Sequence, residues 1–152
     1  MVEVRDANGN LKSTHEGWNS RIDAGAAWQA SLMGSAAGTP ANYMALAASA
    51  ITITKTDTFI GSNASAANEI TANGCARALG TYAYAGVPAS TGAATSYTIT
   101  KVFTCATASQ TVAAVALFNA SSGGTLFVDA NLAPSASLAV GDTLNVVYTV
   151  NI

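Results

Sequence analysis

The chain has 152 residues, enough for one ordinary domain that buries roughly two thirds of the surface its unfolded form exposes. Its six basic residues are scattered along the chain and the formal net charge is −2, so the sequence predicts no nucleic-acid partner. It also predicts no membrane partner and no secretion signal, because no apolar segment approaches roughly 20 residues and the N-terminus is polar.

Charged residues are concentrated near the N-terminus, where residues 1 to 23 hold seven of them. We therefore predict an N-terminal arm or hairpin over residues 1–19 and a single β-rich domain over residues 20–152. The charge distribution favours an extended arm, which would add a strand to a neighbouring subunit and leave a domain that folds without residues 1–16. The alternative is a hairpin over residues 2 to 14, which the turn sequence Asn8-Gly9 fits as well.

One short amphipathic helix is predicted over residues 20–34. Ser20 and Asp23 have the spacing of a capping box, Trp28 and Leu32 lie one turn apart, and Gly34 stands where helices often end. We expect this helix to pack against a sheet.

The next apolar stretches predict short strands. YMALA at residues 43–47 and ITIT at residues 51–54 are strand candidates, whereas residues 62–73 suit either one helical turn or a loop. Small and aromatic residues interleave over residues 75–85 and predict further strand structure, followed by a loop rich in Pro, Gly and Ser.

Residues 96–105 alternate cleanly between an apolar and a threonine-rich side. Lys101 falls on the apolar side, which indicates either a position near a strand end, where its aliphatic stem is buried, or a subunit contact.

The remainder of the chain predicts a hairpin and a final strand. Residues 111–119 are apolar on both faces, as in a central strand, and residues 121–124 turn the chain back into residues 125–132. Gly141-Asp142 forms a second turn, and the alternation from Leu144 onward indicates a long strand. Seven or eight strands with one helix favour a mainly β fold, an antiparallel β-sandwich or jelly-roll-like barrel.

Catalytic and metal-binding patterns are missing from the sequence. His15 and Glu16 are adjacent and would point apart in a strand, and Asp57, Asp129 and Asp142 lack the spacing of a calcium loop. We expect no enzymatic activity, no cofactor and no metal. Cys75 and Cys105 are predicted to be buried reduced thiols, with a cross-strand disulfide as the alternative.

Protein interfaces are the remaining function class, because Ala, Thr, Ser, Asn and Gly replace the usual surface charges. The candidate interface residues are the N-terminal polar and aromatic side chains and one cation on an apolar strand face: Arg5, Lys12, His15, Trp18, Arg21 and Lys101.

Four segments carry a resemblance to small tailed-phage and prophage virion proteins. They are WNSRIDAGAAWQASLMGSAAGTPANYMALA, NEITANGCARALGTYAY, VAAVALFNASSGGTLFVDANL and LAVGDTLNVVYTVNI. The resemblance runs from about Gly17 to Ile152, and the chain departs from the commonest pattern at Asp129, where Arg or Ala is frequent.

The resemblance implies a structural component of the virion, assembled from protein made in the host cytoplasm. A compact domain without fibrous repeats favours a capsid decoration (cement) protein that binds the major capsid protein and stabilises the DNA-filled head, as a homodimer or homotrimer on the capsid surface. The alternatives are a tail or tail-fibre component, in a receptor-binding or adaptor role, and a carbohydrate-binding module.

Overall fold

A computed structural model describes residues 1–16, 20–21, 39–58, 68–84 and 96–151, with residues 20, 21, 84 and 151 described by their backbone alone. These residues contain no α-helix and form ten strands. The strands are β1 (Val2–Arg5), β2 (Leu11–His15), β3 (Ser20–Arg21), β4 (Tyr43–Ala47), β5 (Ala78–Leu79), β6 (Thr81–Tyr84), β7 (Ser96–Thr104), β8 (Gln110–Phe118), β9 (Leu126–Leu138) and β10 (Thr143–Asn151).

The strands form two five-stranded antiparallel sheets. The first sheet has the order β2-β1-β10-β7-β6 and the second has the order β3-β9-β8-β4-β5. Their facing side chains form one hydrophobic cluster, with Val4, Phe103 and Leu144 from the first sheet and Leu46 and Leu117 from the second. Because period-2 alternation sends every second side chain inward, the two sheets bury one face each in this cluster, as in a β-sandwich.

The other face of the second sheet is also buried. Small side chains, including Ala45, Ala114 and Ala116, form a second cluster there with Phe118 and Leu126. The segment that begins at Ile51 packs on this cluster. The burial of both faces explains why β8 is apolar at almost every position, as its sequence predicted.

The sheets are connected at both edges. Gly80 separates β5, in the second sheet, from β6, in the first, and its N–H donates to the carbonyl of Asn42 at 2.8 Å. At the opposite edge, β9 carries extra residues between its pairings with Ala114 and Val112, and a bridge joins Ala133 in this bulge to Glu16, directly after β2. A bulge bends a strand out of its sheet, which here carries it across to the first sheet.

Most of the predicted strands are confirmed. The strand count is higher than predicted, in part because residues 75–85 divide between the two sheets and because Ser20–Arg21 forms a strand. YMALA forms β4, the alternating stretch from residue 96 forms β7, and the final stretch forms β10. The hairpin predicted from the apolar run at residues 111–119 forms β8 and β9.

The strand predicted over residues 51–54 is wrong. The backbone N–H and carbonyl of Ile51 bond at 2.8 Å each to the Oδ1 and Nδ2 atoms of Asn131. A side-chain amide therefore takes the place of a neighbouring strand, so this segment crosses the sheet without joining a ladder.

The helix predicted to begin at Ser20 does not begin there. Ser20 and Arg21 pair with Asp129 and Val128 of β9 as a short edge strand. The rest of the predicted helix lies outside the described residues, as does the first half of the helical turn or loop considered for residues 62–73.

The N-terminal residues form a hairpin, which was the alternative to the predicted arm. β1 lies between β2 and β10, pairing Val4 with Ser13 on one side and with Leu144 on the other. Val2 and Val4 are both part of the core cluster. The hairpin is thus built into the first sheet, and the domain boundary at residue 19 stays a prediction.

Candidate interaction surfaces

Two of the predicted interface cations are held by ion pairs within the chain. The Arg5 guanidinium contacts Glu3 at 3.1 Å and donates to the carbonyl of Gly9 in the hairpin turn at 3.0 Å. Lys12 contacts the carboxylate of Asp142 at 2.5 Å, which ties β2 to the turn between β9 and β10. Asp142 also accepts the N–H of Ala139, and these bonds, with that of Lys12 the largest cause, hold its pKa below the ordinary value.

His15, predicted as an interface residue, has a buried position. It lies opposite Val2, so its side chain points toward the interior and is only 4% exposed. Its Nε2 lies 2.9 Å from the Ser13 hydroxyl, and its Nδ1 has no hydrogen-bond partner among the described residues. The isolated chain therefore presents no surface imidazole here.

Lys101 lies within β7, pairs with Val146 and is half-buried. β6 pairs with β7 only as far as Thr100, so Lys101 is placed just past the end of its edge neighbour and not at the end of its own strand. Trp18 lies outside the described residues, and Arg21 is described by its backbone alone. Among the candidates whose side chains are described, Arg5, Lys12 and His15 lie in one hairpin, and Lys101 lies on another strand of the same sheet.

The carboxylates considered for chemistry lie in three different elements of the fold. Asp57 accepts the backbone N–H of Thr54 at 2.8 Å and closes its own turn. Asp129 is fully buried in β9, whereas Asp142 lies in the turn between β9 and β10 and is paired with Lys12. Within the described ranges, no group of three His, Cys, Asp or Glu side chains could hold a metal ion.

Cys75 and Cys105 are free thiols, and both are buried. Burial is the largest cause that raises the pKa of each thiol, with a contribution from the other thiol at Cys75 and from Asp142 at Cys105. The Cys105 thiol donates to the carbonyl of Ala108 at 2.9 Å. These properties are those of unreactive core cysteines.

Arg77 is the centre of the most densely bonded polar cluster among the described residues, which sequence reasoning did not find. Its guanidinium binds Glu69 through two bonds, of 2.8 and 2.6 Å, and donates to the carbonyls of Ala120 and Gly123 in the turn between β8 and β9. The centroid of the Phe118 ring lies 3.6 Å from the guanidinium carbon of Arg77. With a side chain only 9% exposed, Arg77 joins three separate segments of the chain.

The outward face of the first sheet is the most extensive regular surface of the described chain. The strand register places seven threonines there: Thr14, Thr81, Thr98, Thr100, Thr104, Thr143 and Thr149. Asn145, Val147 and Val102 lie among them, and Val102 is 53% exposed. We call this surface the threonine face. Its charged side chains on β1, Glu3 and Arg5, form an ion pair, and Lys12 on the edge strand β2 is paired with Asp142.

A family model matches most of the chain. Residues 29–150 match the model of a family described as Podophage GP4 fiber I protein gp80. The chain belongs to this family. Comparisons with curated proteins and with solved structures gave no match.

Membership of this family makes the chain a structural protein of a bacteriophage virion. The coarser part of the sequence resemblance is thereby confirmed. The matched residues include Glu69, Arg77, Phe118 and Gly123, so the Arg77 cluster lies wholly inside the family region. None of the described segments forms a helix that is long and apolar enough to cross a bilayer.

Proposed function

We propose that this chain is a component of a tail fibre of a podophage, in which it acts as a rigid β-sandwich module that holds other subunits. The observation that carries the proposal is the match of residues 29–150 to a family described as a fibre protein. The dispersed carboxylates and the buried His15 support a role in assembly over a role in chemistry.

Rigidity supports the same role. The Arg77 cluster, the Asn131 clamp on Ile51 and the Lys12 ion pair each fix a turn or crossing segment to a sheet. A fibre module transmits force between its neighbours, and fixed connections keep its contact surfaces in register. Few charges on these surfaces lower the desolvation cost of covering them.

Decoration of the capsid is the second candidate, and a specific observation favours it. The described residues form one compact sandwich without a stalk or a repeated strand pattern, which also suits a protein that sits on a shell of capsid subunits. In that case the partner would be the major capsid protein.

Labelling of intact virions decides between the two candidates. Antibody against the purified chain, coupled to gold and imaged by electron microscopy, should mark appendages at the tail if the chain is a fibre component. Label spread evenly over the head would contradict the fibre proposal and favour capsid decoration. A preparation of the same virions with a pre-adsorbed antibody controls for non-specific label.

A further inference from the structure

We propose that the threonine face is a self-association surface, on which a second copy of this chain packs face to face. The inference goes beyond the proposed function, because it names a surface and its occupant. It applies to the purified chain wherever the chain stands in the virion.

The two sheets differ in how their outer faces are covered. Within the described residues, the outer face of the second sheet is buried as the Ala45 and Ala116 cluster. None of the described residues covers the outer face of the first sheet in this way, and Val102 and Thr104 on it are exposed. This regular sheet surface of the described chain is therefore available to a partner.

The charge of the face favours a copy of itself over an oppositely charged partner. Glu3 and Arg5 form an ion pair within the face, and Lys12 on the edge strand β2 is paired with Asp142, so the described part of the face has no unpaired charge for a partner to match. The outward positions of β7, which are Thr98, Thr100, Val102 and Thr104, carry no charge. Two copies would meet without like-charge repulsion.

The hydrogen-bonding chemistry is self-complementary. A threonine hydroxyl both donates and accepts, so a row of threonines can bond to an identical row, which a row of lysines or carboxylates cannot do. In a two-fold dimer each contact between the two copies occurs twice. The exposed Val102 would be buried in the interface of such a dimer.

The size of the face sets the strength of the contact. Its five strands have four to nine residues, which at about 3.3 Å per residue and about 4.8 Å per strand give roughly 500 Å² in projection for each copy. A pair would bury roughly 1,000 Å², the lower limit for a specific interface. We therefore expect concentration-dependent dimers in solution, which repeated contacts in a virion would strengthen.

Sedimentation velocity of the purified full chain over a wide concentration range tests the inference. Wild type should shift from monomer to dimer as its concentration rises. Val102→Lys and Thr100→Lys place like charges in the centre of the face twice per dimer and should raise the dissociation constant about tenfold or more. Ser121→Lys, in the exposed turn between β8 and β9, adds the same charge outside the face and should dimerise like wild type.

A cooperative thermal unfolding transition shows that a variant is folded. If Val102→Lys does not fold, the dissociation constant of the Thr100→Lys dimer tests the inference. Wild type that stays monomeric at every concentration would overturn the inference, as would both face variants dimerising like wild type. Monomeric wild type whose binding to phage particles is lost in the face variants would assign the surface to a different virion protein and would also overturn it. None of these outcomes depends on where the label falls on the virion.

Discussion

Arg77 shows at the scale of one residue how the family region is held together. Eight residues separate it from Glu69, and neither residue belongs to a strand with a predictive period, so the sequence pattern gave no reason to pair them. The segments of Glu69 and Arg77 are brought together only in the folded chain, by their contacts with β4 and with the turn after β8. Single charged residues in irregular segments are therefore where the sequence was least informative.

Replacing Arg77 with Met should lower the free energy of unfolding by about 3 kcal/mol, because the Glu69 carboxylate would be left largely buried without its partner. Chemical denaturation measures the loss. Lys55→Met is the matched control, since Lys55 is exposed and its loss should change stability by less than about 0.5 kcal/mol. If the pair is coupled, adding Glu69→Gln to Arg77→Met should recover part of the loss, and a purely additive double variant would contradict this.

Asp142 should make stability depend on pH. Its carboxylate binds Lys12 and the N–H of Ala139, and its pKa lies below the ordinary value of 3.8. A depressed folded-state pKa contributes stability that is present above the unfolded pKa of about 3.9 and is lost as pH falls through the folded value.

Asp142→Asn should therefore be less stable than wild type at neutral pH, with a difference that shrinks as pH falls below about 4. Unfolding in denaturant at a series of pH values measures it. Lys12→Met keeps the carboxylate and removes its main partner, so its deficit should narrow over the same pH range. A deficit of Asp142→Asn that is constant across pH would show that the charge of Asp142 is not what stabilises the turn.

Elements that alternate with period 2 were the ones predicted well. In β7 and β10 the residues of one face are buried and those of the other are more exposed. Apolar and polar residues therefore alternate along each strand, and this alternation is visible in the sequence. Residues 51–54 alternate in the same way, and the failure there comes from Asn131, whose amide occupies the backbone groups that a strand would use. The division of residues 75–85 between two sheets at Gly80 was likewise hidden, because a glycine between apolar residues has many uses.

The connection before β5 depends on close approach of two backbones. A Cβ at Gly74 would lie 2.0 Å from the carbonyl oxygen of Thr104, and the Gly74 φ of 77° is itself unfavourable for other residues. Gly123 has a φ of 58° but nothing within 4 Å of the same position.

We expect Gly123→Ala to cost about 1 kcal/mol, from backbone conformation alone. Gly74→Ala should cost about 3 kcal/mol or more, because the backbone of Thr104 must also move. The difference between the two variants in thermal or denaturant unfolding isolates the steric part. Equal losses would show that residues 73–75 can separate from the end of β7 at little cost.

For the whole molecule, the fold class and a role in the virion were predictable, and the place of the N-terminus was not. Charge density suggested a detachable arm, yet Val2 and Val4 alternate with Glu3 and Arg5 and thus have the pattern of a half-buried strand. The pattern is only four residues long and lies among charged residues, so it did not by itself predict a strand within the first sheet. Of the predicted interface residues, Arg5 and Lys12 form ion pairs inside the chain, which their positions in the sequence did not indicate.

Deleting residues 1–16 should therefore unfold or aggregate the chain instead of leaving an intact domain. The deletion removes two strands of the first sheet, takes Val2 and Val4 from the core, and leaves the long strand β10 as an unpaired edge. Burial of the two valines alone accounts for about 3 to 6 kcal/mol, against a total stability of roughly 5–15 kcal/mol for a domain. Loss of the cooperative thermal transition, measured by circular dichroism, is the expected result. The control is Leu11→Thr, which changes an exposed side chain of the same hairpin and should leave the transition almost unchanged. A truncated chain that unfolds cooperatively near the wild-type temperature would show that the hairpin is an addition to the sandwich and would restore the arm as an element free to pair with a neighbouring subunit.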